Sequence, residues 1–519
     1  MKRLTDLEYL KLSKFQARIY KLKLFFCSIP HRLWALLLTI GHFFAKCGKS
    51  IKNTFVDIGT TFTKGNWAVK LSFLIFGFGN LYYGQIMRGI LFLVFEIVFI
   101  AYMFLPSGGI YWLQKGQWFQ KGATIGTVQG GMAYDPVFDT PVWVKGDDSV
   151  RVMLYGLLTI MFIVAFIWTW RLQVKQCRIC MDITAQGKRI KSGKDDLRSL
   201  VDEQFHKTML ALPMGGILLF TVLPIIYMVL VAFTSYDGSN DGYANLFSWV
   251  GLDNFNQLLN FGKDGLGATF GEILAWTLMW AFFATFSNYF LGMMVAMLIN
   301  KKGIKIKKFW RTVLVMTIAI PQFVSLLYVS KLFDSSGIIG KLLLNWNLIP
   351  QSMLEVGQRS LWDNPTSARI LLIVINIWIG IPHIMLMATG ILMNIPADLY
   401  ESARIDGAKP WQQYTKITLP YMLFVTGPYL LTSFVSNLNN FNVIYLLSGG
   451  NPLKGSSGGA SVGHTDLLIT WLFKMTVDGY EAKYNLASVI GILIFIVCAV
   501  LSLIVYNIIP STKNEEDFN

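Results

Sequence analysis

The chain has 519 residues, of which 54% are apolar and only 14% are charged, and its mean hydropathy is +0.49. Because a soluble domain carries about 25% charged residues, this composition excludes an ordinary soluble enzyme and indicates a polytopic membrane protein. The formal net charge of +15 is also typical of nucleic-acid binding, but here the Lys and Arg residues flank apolar segments, so anionic lipid headgroups are the simpler partner.

The N-terminal region is basic and predicts helices that lie on the membrane surface. Residues 1–66 carry twelve Lys or Arg, and we expect amphipathic helices there on the inner face of the membrane. The most apolar run of this region, 33–45, is short, so no cleavable signal peptide is expected. Residues 71–84 form a short apolar element broken by glycines, and its length favours a re-entrant or interfacial helix over a span.

Longer apolar segments predict eight transmembrane helices. The positive-inside rule places segments 171–208 and 300–311 in the cytoplasm, because they carry nine and six Lys or Arg. Both termini are then cytoplasmic, and the protein is expected in the plasma or inner membrane. The predicted spans are 88–105, 152–170, 209–233, 272–299, 309–332, 370–393, 422–447 and 487–509, and the loops 106–151, 234–271, 333–369 and 448–486 are expected to face outward.

A polar stretch between two of these spans carries the most informative motif. Residues 396–420 begin with helix-start chemistry, because Pro396 lies near a first turn and Asp398 lies close to its positive end. Gly407 permits a sharp turn between two short helices, and Pro420 is expected to end the second of them. The spaced anchors of the motif are Glu401, Ser402, Ala403, Gly407, Ile417, Leu419 and Pro420.

This spacing resembles the EAA loop of the permease subunits of ABC importers, with Ser402 in the place of the usual Ala. The resemblance extends over roughly residues 205–509, including SNLNNFNVIYLLSGGNP at 436–452, to type I ABC importer permeases and more closely to the MalF-like subunits that import maltose and maltodextrins. It implies an all-α polytopic membrane protein of about eight transmembrane helices with a six-helix permease core. The loop is then the coupling helix that docks into a separate ATPase.

The domain organisation expected on this basis has four parts. They are a basic cytoplasmic or interfacial region at 1–87, two extra transmembrane helices with an outer loop and a basic linker at 88–204, the importer transmembrane domain at 205–510 with its coupling loop at 396–420, and a cytoplasmic tail at 511–519.

Polar residues inside two spans indicate a candidate substrate site. Lipid cannot satisfy a polar side chain, so such residues must face protein or water. Spans 370–393 and 422–447 both carry polar residues at i, i+4 and i+7, which predicts one polar face on each helix, and carboxamides can both donate to and accept from sugar hydroxyls. In the maltose-type permeases these two helices build the sugar site. The resemblance carries that role to Asn376, Ile379, Gly380, His383, Ser433, Ser436, Asn437 and Asn440.

Two of these positions depart from the family pattern. His383 stands where a Tyr is expected, and Ser436 stands where a Phe is expected, which weakens stacking and leaves the exact sugar open. The alternative interpretation of the whole set is interhelical hydrogen bonding, which is common in membrane bundles.

Three weaker motifs are not interpreted as sites. Gly48-Lys49-Ser50 resembles the end of a phosphate-binding loop, but its first Gly is missing and no strand precedes it. Cys177 and Cys180 have zinc-type spacing without a second ligand pair. Residues 237–242 begin like a calcium loop that lacks its final Glu. No metal site and no catalytic residue are predicted.

The resemblance implies one half of a heterodimeric import pore for an oligosaccharide, with maltose or maltodextrin as the expected substrate. Such a subunit performs no covalent chemistry and needs no cofactor, since ATP is used by partner subunits. Its implied partners are a second, MalG-like permease subunit, two ATP-binding subunits, an extracellular or periplasmic sugar-binding protein and membrane lipids, without nucleic acid.

Two alternatives remain open from the residues. One is the same family with another sugar, such as a raffinose-like or uronate oligosaccharide. The other is an ion-coupled secondary transporter, which would place acids in the bundle core, whereas the spans from 209–233 to 422–447 offer only Glu272, Lys331 and His383. Glu96 lies in the first predicted span, outside the transport unit, and is expected to make a structural pairing within the N-terminal region.

The predicted topology can be tested by labelling. A cysteine introduced by Ser192→Cys should react with a membrane-impermeant maleimide only after the cells are opened, because segment 171–208 is strongly basic. A cysteine placed in the 106–151 loop is the matched control and should react in intact cells. Labelling of the Ser192→Cys variant from outside would contradict the eight-span topology.

Overall fold

The computed structural model describes most of the chain beyond its N-terminal 40 residues. The predictions for residues 1–40 and for the tail 511–519 lie outside the described residues. The described residues are 41, 45–46, 48–50, 52–135, 140–144, 146–190, 195, 198–199, 201–240, 246–262, 265–301, 303–334, 337–349, 360–478 and 482–508.

Helices dominate the structure, which confirms the predicted all-α class. Residues 52–64 are helical. The helices that follow are α1 (Trp67–Leu71), α2 (Phe78–Tyr82), α3 (Ile86–Phe104), α4 (Gly109–Lys115), α5 (Ser149–Ala185), α6 (Phe205–Ile217), α7 (Leu223–Val231), α8 (Asp253–Leu259), α9 (Gly267–Asn300), α10 (Lys307–Ala319), α11 (Gln322–Leu332), α12 (Ile338–Asn345), α13 (Pro365–Leu392), α14 (Ala397–Ile405), α15 (Pro410–Gln413), α16 (Leu419–Leu438), α17 (Phe441–Leu447), α18 (Leu468–Phe473) and α19 (Tyr484–Ile508). Two antiparallel hairpins pair β1 (Gly131–Asp135) with β2 (Thr140–Val144) and β3 (Leu453–Ser457) with β4 (Ala460–Gly463).

The described residues contain seven helices that are long and apolar enough to cross a membrane, or eight if one bent pair counts as a span. The bent pair corrects the straight span predicted at 309–332. Helices α10 and α11 meet at an angle of 94° around Ile320 and Pro321. Pro321 has no backbone N–H and restricts the residue before it to an extended conformation, which Ile320 adopts with ψ at 130°.

The span predicted at 422–447 is also broken. Helix α16 ends at Leu438, and α17 begins after Asn440, whose side chain accepts a hydrogen bond from the Val443 backbone N–H at 3.3 Å. Asn440 is therefore an N-cap, a position that Asn favours strongly. The predicted single helical face of Ser433, Asn437 and Asn440 is wrong, because the third residue lies in the break.

The chain divides into two compact units, one formed by residues 1–111 and 158–217 and the other by residues 112–157 and 218–519. The predicted boundaries near residues 87 and 204 stay a prediction.

In the first unit, buried side chains stabilise a break in the helical backbone between α1 and α2. Glu96, which is buried, accepts a hydrogen bond from the Phe76 backbone N–H at 2.8 Å. Gln173 accepts from the Gly77 N–H at 3.3 Å and donates to the Ser72 carbonyl at 2.6 Å. Because unpaired backbone groups are costly in an apolar environment, these bonds make the short α1–α2 element possible. The structural role predicted for Glu96 is confirmed.

In the second unit, α9 and α13 run side by side in the same direction. A Cβ added at Gly292 of α9 would lie 2.5 Å from the Cβ of Ile384 on α13, so the two helices approach closely at this point. Near the N-terminal ends, the Arg369 guanidinium lies 4.6 Å from the centroid of the Trp276 ring. The pair forms the frame on which the candidate site is built.

A buried ion pair holds the segment after the β3–β4 hairpin. Lys474 Nζ lies 2.8 Å from Asp466 Oδ2, and the two side chains are only 5% and 0% exposed. Asp466 also accepts hydrogen bonds from the Gly463 N–H at 2.7 Å and the Thr470 hydroxyl at 2.9 Å. The carboxylate thus connects three parts of the segment.

Removing this carboxylate should destabilise the protein strongly. Asp466→Ala leaves Lys474 buried without a counter-charge, and we expect a loss of about 3–5 kcal/mol in the free energy of unfolding. The control is Glu272→Ala, because Glu272 pairs with Lys454 while both side chains are largely exposed, and we expect less than about 1 kcal/mol there. Equilibrium unfolding in mixed micelles measures both, and equal losses would contradict the role of the buried pair.

Candidate functional site

The predicted site residues of span 370–393 lie on α13, at the middle of the helix. Asn364 caps the start of this helix by accepting from the Thr366 N–H at 2.9 Å, and Pro365 occupies its first turn. Asn376 is 6% exposed, and its Nδ2 atom has no hydrogen-bond partner among the described residues. A buried amide left unpaired costs about 1–3 kcal/mol, so this atom indicates a place where a partner binds.

A second unpaired carboxamide, missed at the sequence level, lies on α9. Asn288 Oδ1 is buried and lacks a partner within the part of the chain that the structure describes. A Cβ added at Gly380 would lie 2.2 Å from Asn288 Nδ2, so Gly380 is a glycine because the Asn288 side chain occupies that space. Asn376 precedes Gly380 by one helical turn on the same face. The sequence signal was a carboxamide inside the apolar span 272–299.

These two atoms differ from the other unpaired groups in the second unit. Four other groups also lack a partner among the described residues: the indole N–H groups of Trp118, Trp280 and Trp471, and Arg311 Nε. The Trp280 and Trp471 rings are fully buried within apolar clusters, and the Trp118 ring packs beside that of Trp249. The Arg311 guanidinium bonds to Asn300 through another nitrogen. Asn288 and Asn376 instead lie along the contact between α9 and α13, which we call the seam. Gly380 lies against Asn288 and one helical turn after Asn376. One group that both donates and accepts, such as a hydroxyl, matches an unpaired N–H and an unpaired carbonyl oxygen.

The other predicted residues of α13 have different environments. Ile379 is half-buried and packs against the apolar cluster that contains Trp276 and Trp280. His383 is exposed, and its ring centroid lies 6.2 Å from that of Tyr429 on α16. Tyr429 thus supplies an aromatic ring beside the position where the family pattern has one.

The predicted residues of α16 are largely engaged by protein. Asn437 Nδ2 donates to the Thr285 hydroxyl of α9 at 3.0 Å, and Asn437 Oδ1 accepts from Asn440 Nδ2 at 3.2 Å. Ser433 is half-buried and Ser436 is exposed. The two carboxamides therefore make interhelical and capping bonds, and each retains unused hydrogen-bonding capacity.

The motif at 396–420 forms a short exposed helix with a well-defined end. Helix α14 begins after Pro396, with Asp398 in its first turn. Gly407 has φ +74°, and its N–H donates to the Arg404 carbonyl at 3.0 Å, while the Ala408 N–H donates to the Ala403 carbonyl at 2.8 Å. This is the Schellman arrangement, in which glycine is favoured at the left-handed position. Glu401 and Ser402 are exposed, and Ala403 is half-buried.

The second half of the motif differs from the prediction. Pro420 does not end a helix, because α15, the π-helical turn Tyr414–Thr418 and α16 form one continuous helix from Pro410 to Leu438. The wider π turn removes the need for a regular bond at the proline, which has no N–H. Ile417 and Leu419 are half-buried within it.

One contact connects the two halves. The Tyr400 hydroxyl lies 2.9 Å from the Thr418 hydroxyl, so α14 is linked to the start of α16. Two large apolar side chains are strongly exposed in this otherwise polar region, since Ile405 is 87% exposed and Trp411 is 71% exposed. Exposed apolar side chains that cluster with charged ones are typical of a protein-binding surface.

Comparison with known proteins places the fold and the motif in one family. Residues 288–513 match the family model described as binding-protein-dependent transport system inner membrane component. The chain is 30% identical over 442 residues to the maltodextrin transport system permease protein MalC of Streptococcus pneumoniae, covering 83% of this chain and 93% of the relative. It is also 30% identical over 408 residues to the galactooligosaccharides transport system permease protein GanP of Bacillus subtilis, covering 78% and 94%.

Among solved structures, a chain of a bacterial ABC transporter involved in the import of the acidic polysaccharide alginate aligns with a TM-score of 0.49 at 22% identity, covering 61% of this chain and 99% of that chain. The extent of the match to the permease relatives, together with the motif and the helical architecture, shows that the chain belongs to the family of binding-protein-dependent transport system inner membrane components, as a permease subunit of an ABC importer.

Proposed function

We propose that this permease subunit imports an oligosaccharide of the maltodextrin type and forms half of the translocation pore. The observation that carries the proposal is the pair of unpaired atoms, Asn288 Oδ1 and Asn376 Nδ2, on the packed seam of α9 and α13. A sugar hydroxyl can accept from the amide N–H and donate to the carbonyl oxygen at the same time. A relative with this function in its name, MalC, supports the substrate class.

The proposed site combines this seam with the predicted residues around it. Gly380 keeps space for the Asn288 side chain, and His383 and Tyr429 provide ring surfaces at the next turn. Ser433 and Ser436 add hydroxyl groups, while Asn437 and Asn440 hold α16 against its neighbours and retain capacity for a further bond.

A second candidate substrate is a galacto-oligosaccharide. The relative GanP is as similar to the chain as MalC is, and its name gives galactooligosaccharides as the substrate. Carboxamides and hydroxyls bind either sugar, since they recognise hydroxyl groups rather than a particular ring. Competition of unlabelled maltotriose or galactobiose with uptake of labelled maltodextrin distinguishes the two.

The motif at 396–420 is the proposed connection to the motor. Helix α14 lies in the chain between α13 and α16, which carry the site, so a displacement of α14 pulls directly on both. The exposed Glu401 offers a charge to a cation on an ATP-binding subunit, and the exposed Ile405 and Trp411 offer apolar contacts. ATP is used by two such subunits, while a second permease chain completes the pore and an outer sugar-binding protein delivers the substrate.

Substitutions at the seam test the substrate site. Asn288→Ala and Asn376→Ala should each remove one bond to sugar and weaken pocket affinity by about fivefold to a hundredfold, which corresponds to about 1–3 kcal/mol. The measurement is maltodextrin uptake by proteoliposomes that contain the complete complex, with binding protein and ATP in excess, as a function of sugar concentration.

The matched control is Asn439→Ala, because Asn439 is exposed and its amide is already paired, donating to the Val435 carbonyl and to Cys498 Sγ. Uptake of that variant should equal wild type. If Asn288→Ala and Asn376→Ala also transport like wild type while the complexes assemble normally, the seam does not bind sugar. Gly380→Ala should lower uptake as well, since its Cβ displaces Asn288.

The coupling role is tested at the turn. Gly407→Pro should uncouple the subunit, because proline fixes φ near −65°, whereas Gly407 has φ +74°, and because the N–H bonded to Arg404 is lost. Glu401→Lys should act through charge reversal. We expect most of the ATPase activity that depends on the binding protein to be lost in both variants of the reconstituted complex.

Charge reversal at an exposed acid outside the motif, Asp202→Lys, is the control and should retain stimulation. Wild-type stimulation of both motif variants would contradict the coupling role and leave the substrate site unaffected.

A further inference from the structure

A cleft in the first unit lies where an apolar span ends. The apolar part of α5 runs through residues 152–170, and Arg171 is the first charged residue after it. Lys175 and Arg178 follow at i+4 and i+7, so three cations share one face of the helix. The helical segment 52–64 forms the opposite wall, and the cleft between them has a volume of about 360 Å³, which is within the range of ligand-binding pockets.

Two of the three cations have no ion-pair partner among the described residues. Arg178 pairs with Asp57 at 2.6 Å. Arg171 instead donates to the neutral hydroxyl of Thr54 at 2.6 Å, so its guanidinium is held in place with its charge intact. Lys175 is exposed, and in the described part of the chain neither it nor Arg171 makes an ion pair. One further acid, Asp182, lines the cleft. The cleft is therefore an ordered site of net positive charge.

Exposed aromatic residues indicate the depth of this cleft in the membrane. Trp168 is 63% exposed, three residues before Arg171, and Trp residues at the ends of spans are typical of the boundary between lipid and water. On the opposite wall Phe55 and Phe62, at i and i+7, are also exposed. A helix that presents aromatic side chains beside lysines is typical of an interfacial helix. These residues indicate that Arg171, at the end of the span, lies near the boundary between lipid and water.

We propose that the cleft binds the phosphodiester headgroup of an anionic phospholipid. The Arg171 guanidinium, oriented by Thr54, presents a fork of donors to the phosphate oxygens, and Lys175 adds a point charge one turn further along the helix. This site is separate from the sugar site and does not depend on the proposed substrate.

The test uses the purified complex in a neutral detergent. Dioctanoyl phosphatidylglycerol is titrated while the thermal unfolding midpoint is followed by intrinsic fluorescence, and we expect a saturable increase. Dioctanoyl phosphatidylcholine, which carries no net charge, should give little increase. Inorganic phosphate at the same concentrations distinguishes the two sources of phosphate, and an equal effect of inorganic phosphate would overturn the lipid assignment.

Charge-removing variants locate the site. Arg171→Gln combined with Lys175→Gln should raise the concentration of phosphatidylglycerol needed for half the effect by about thirtyfold, since each cation near the surface contributes about 1 kcal/mol. The matched control is Lys188→Gln combined with Arg189→Gln, which removes the same charge from exposed residues outside the cleft lining, and it should titrate like wild type.

Lys175→Gln alone provides a second test in case the double variant misfolds, because Lys175 is exposed and its substitution breaks no ion pair of the described residues. We expect a shift of about threefold to fivefold for it. If both the double and the single cleft variant reach half of the effect at the same phosphatidylglycerol concentration as wild type, the proposal is overturned. An equal loss in the control variant would overturn it as well, because the effect would then reflect total charge.

Discussion

The structure depends on one constraint, which is that a polar group within an apolar environment must find a partner in the protein. Where the helical backbone is interrupted between α1 and α2, Glu96 and Gln173 supply the missing acceptors and a donor. Where it is interrupted between α16 and α17, Asn440 caps the new helix. Asn288 and Asn376 depart from this requirement, because each leaves a buried carboxamide atom without a partner among the described residues.

The same constraint explains which parts of the structure the sequence could predict. Apolar length is a local property, and it predicted the approximate positions of most spans, whereas the orientation inferred from charge bias stays a prediction. The left-handed turn at Gly407 was predictable because φ +74° is a backbone requirement of one residue. The breaks near Pro321 and Asn439 were not predicted, because a break within an apolar segment is stable only when neighbouring helices satisfy the exposed backbone groups.

The candidate site was predictable only in part, for a related reason. Polar spacing on a helix identifies a face but does not say what the face contacts. Asn437 belongs to such a face, yet its amide bonds to Thr285 of α9. Asn288 has one polar neighbour at helical spacing, Thr285 at i−3, and that hydroxyl is bonded to Asn437. The importance of Asn288 depends on the space that Gly380 leaves on another helix. Contacts between segments separated by about 90 residues require the fold itself.

The bonds around α16 also limit how a displacement of α14, the proposed coupling helix, could reach the proposed site. Tyr400 links α14 to Thr418, so the short helix and the start of α16 move together. Further along, Thr426 bonds to Tyr289 at 2.8 Å and Asn437 bonds to Thr285, and both partners lie on α9. If α16 moves as a rigid body, it must either carry α9 with it or break these two bonds. Because Asn288 lies on α9 between those partners, either motion changes the surroundings of the unpaired carboxamide.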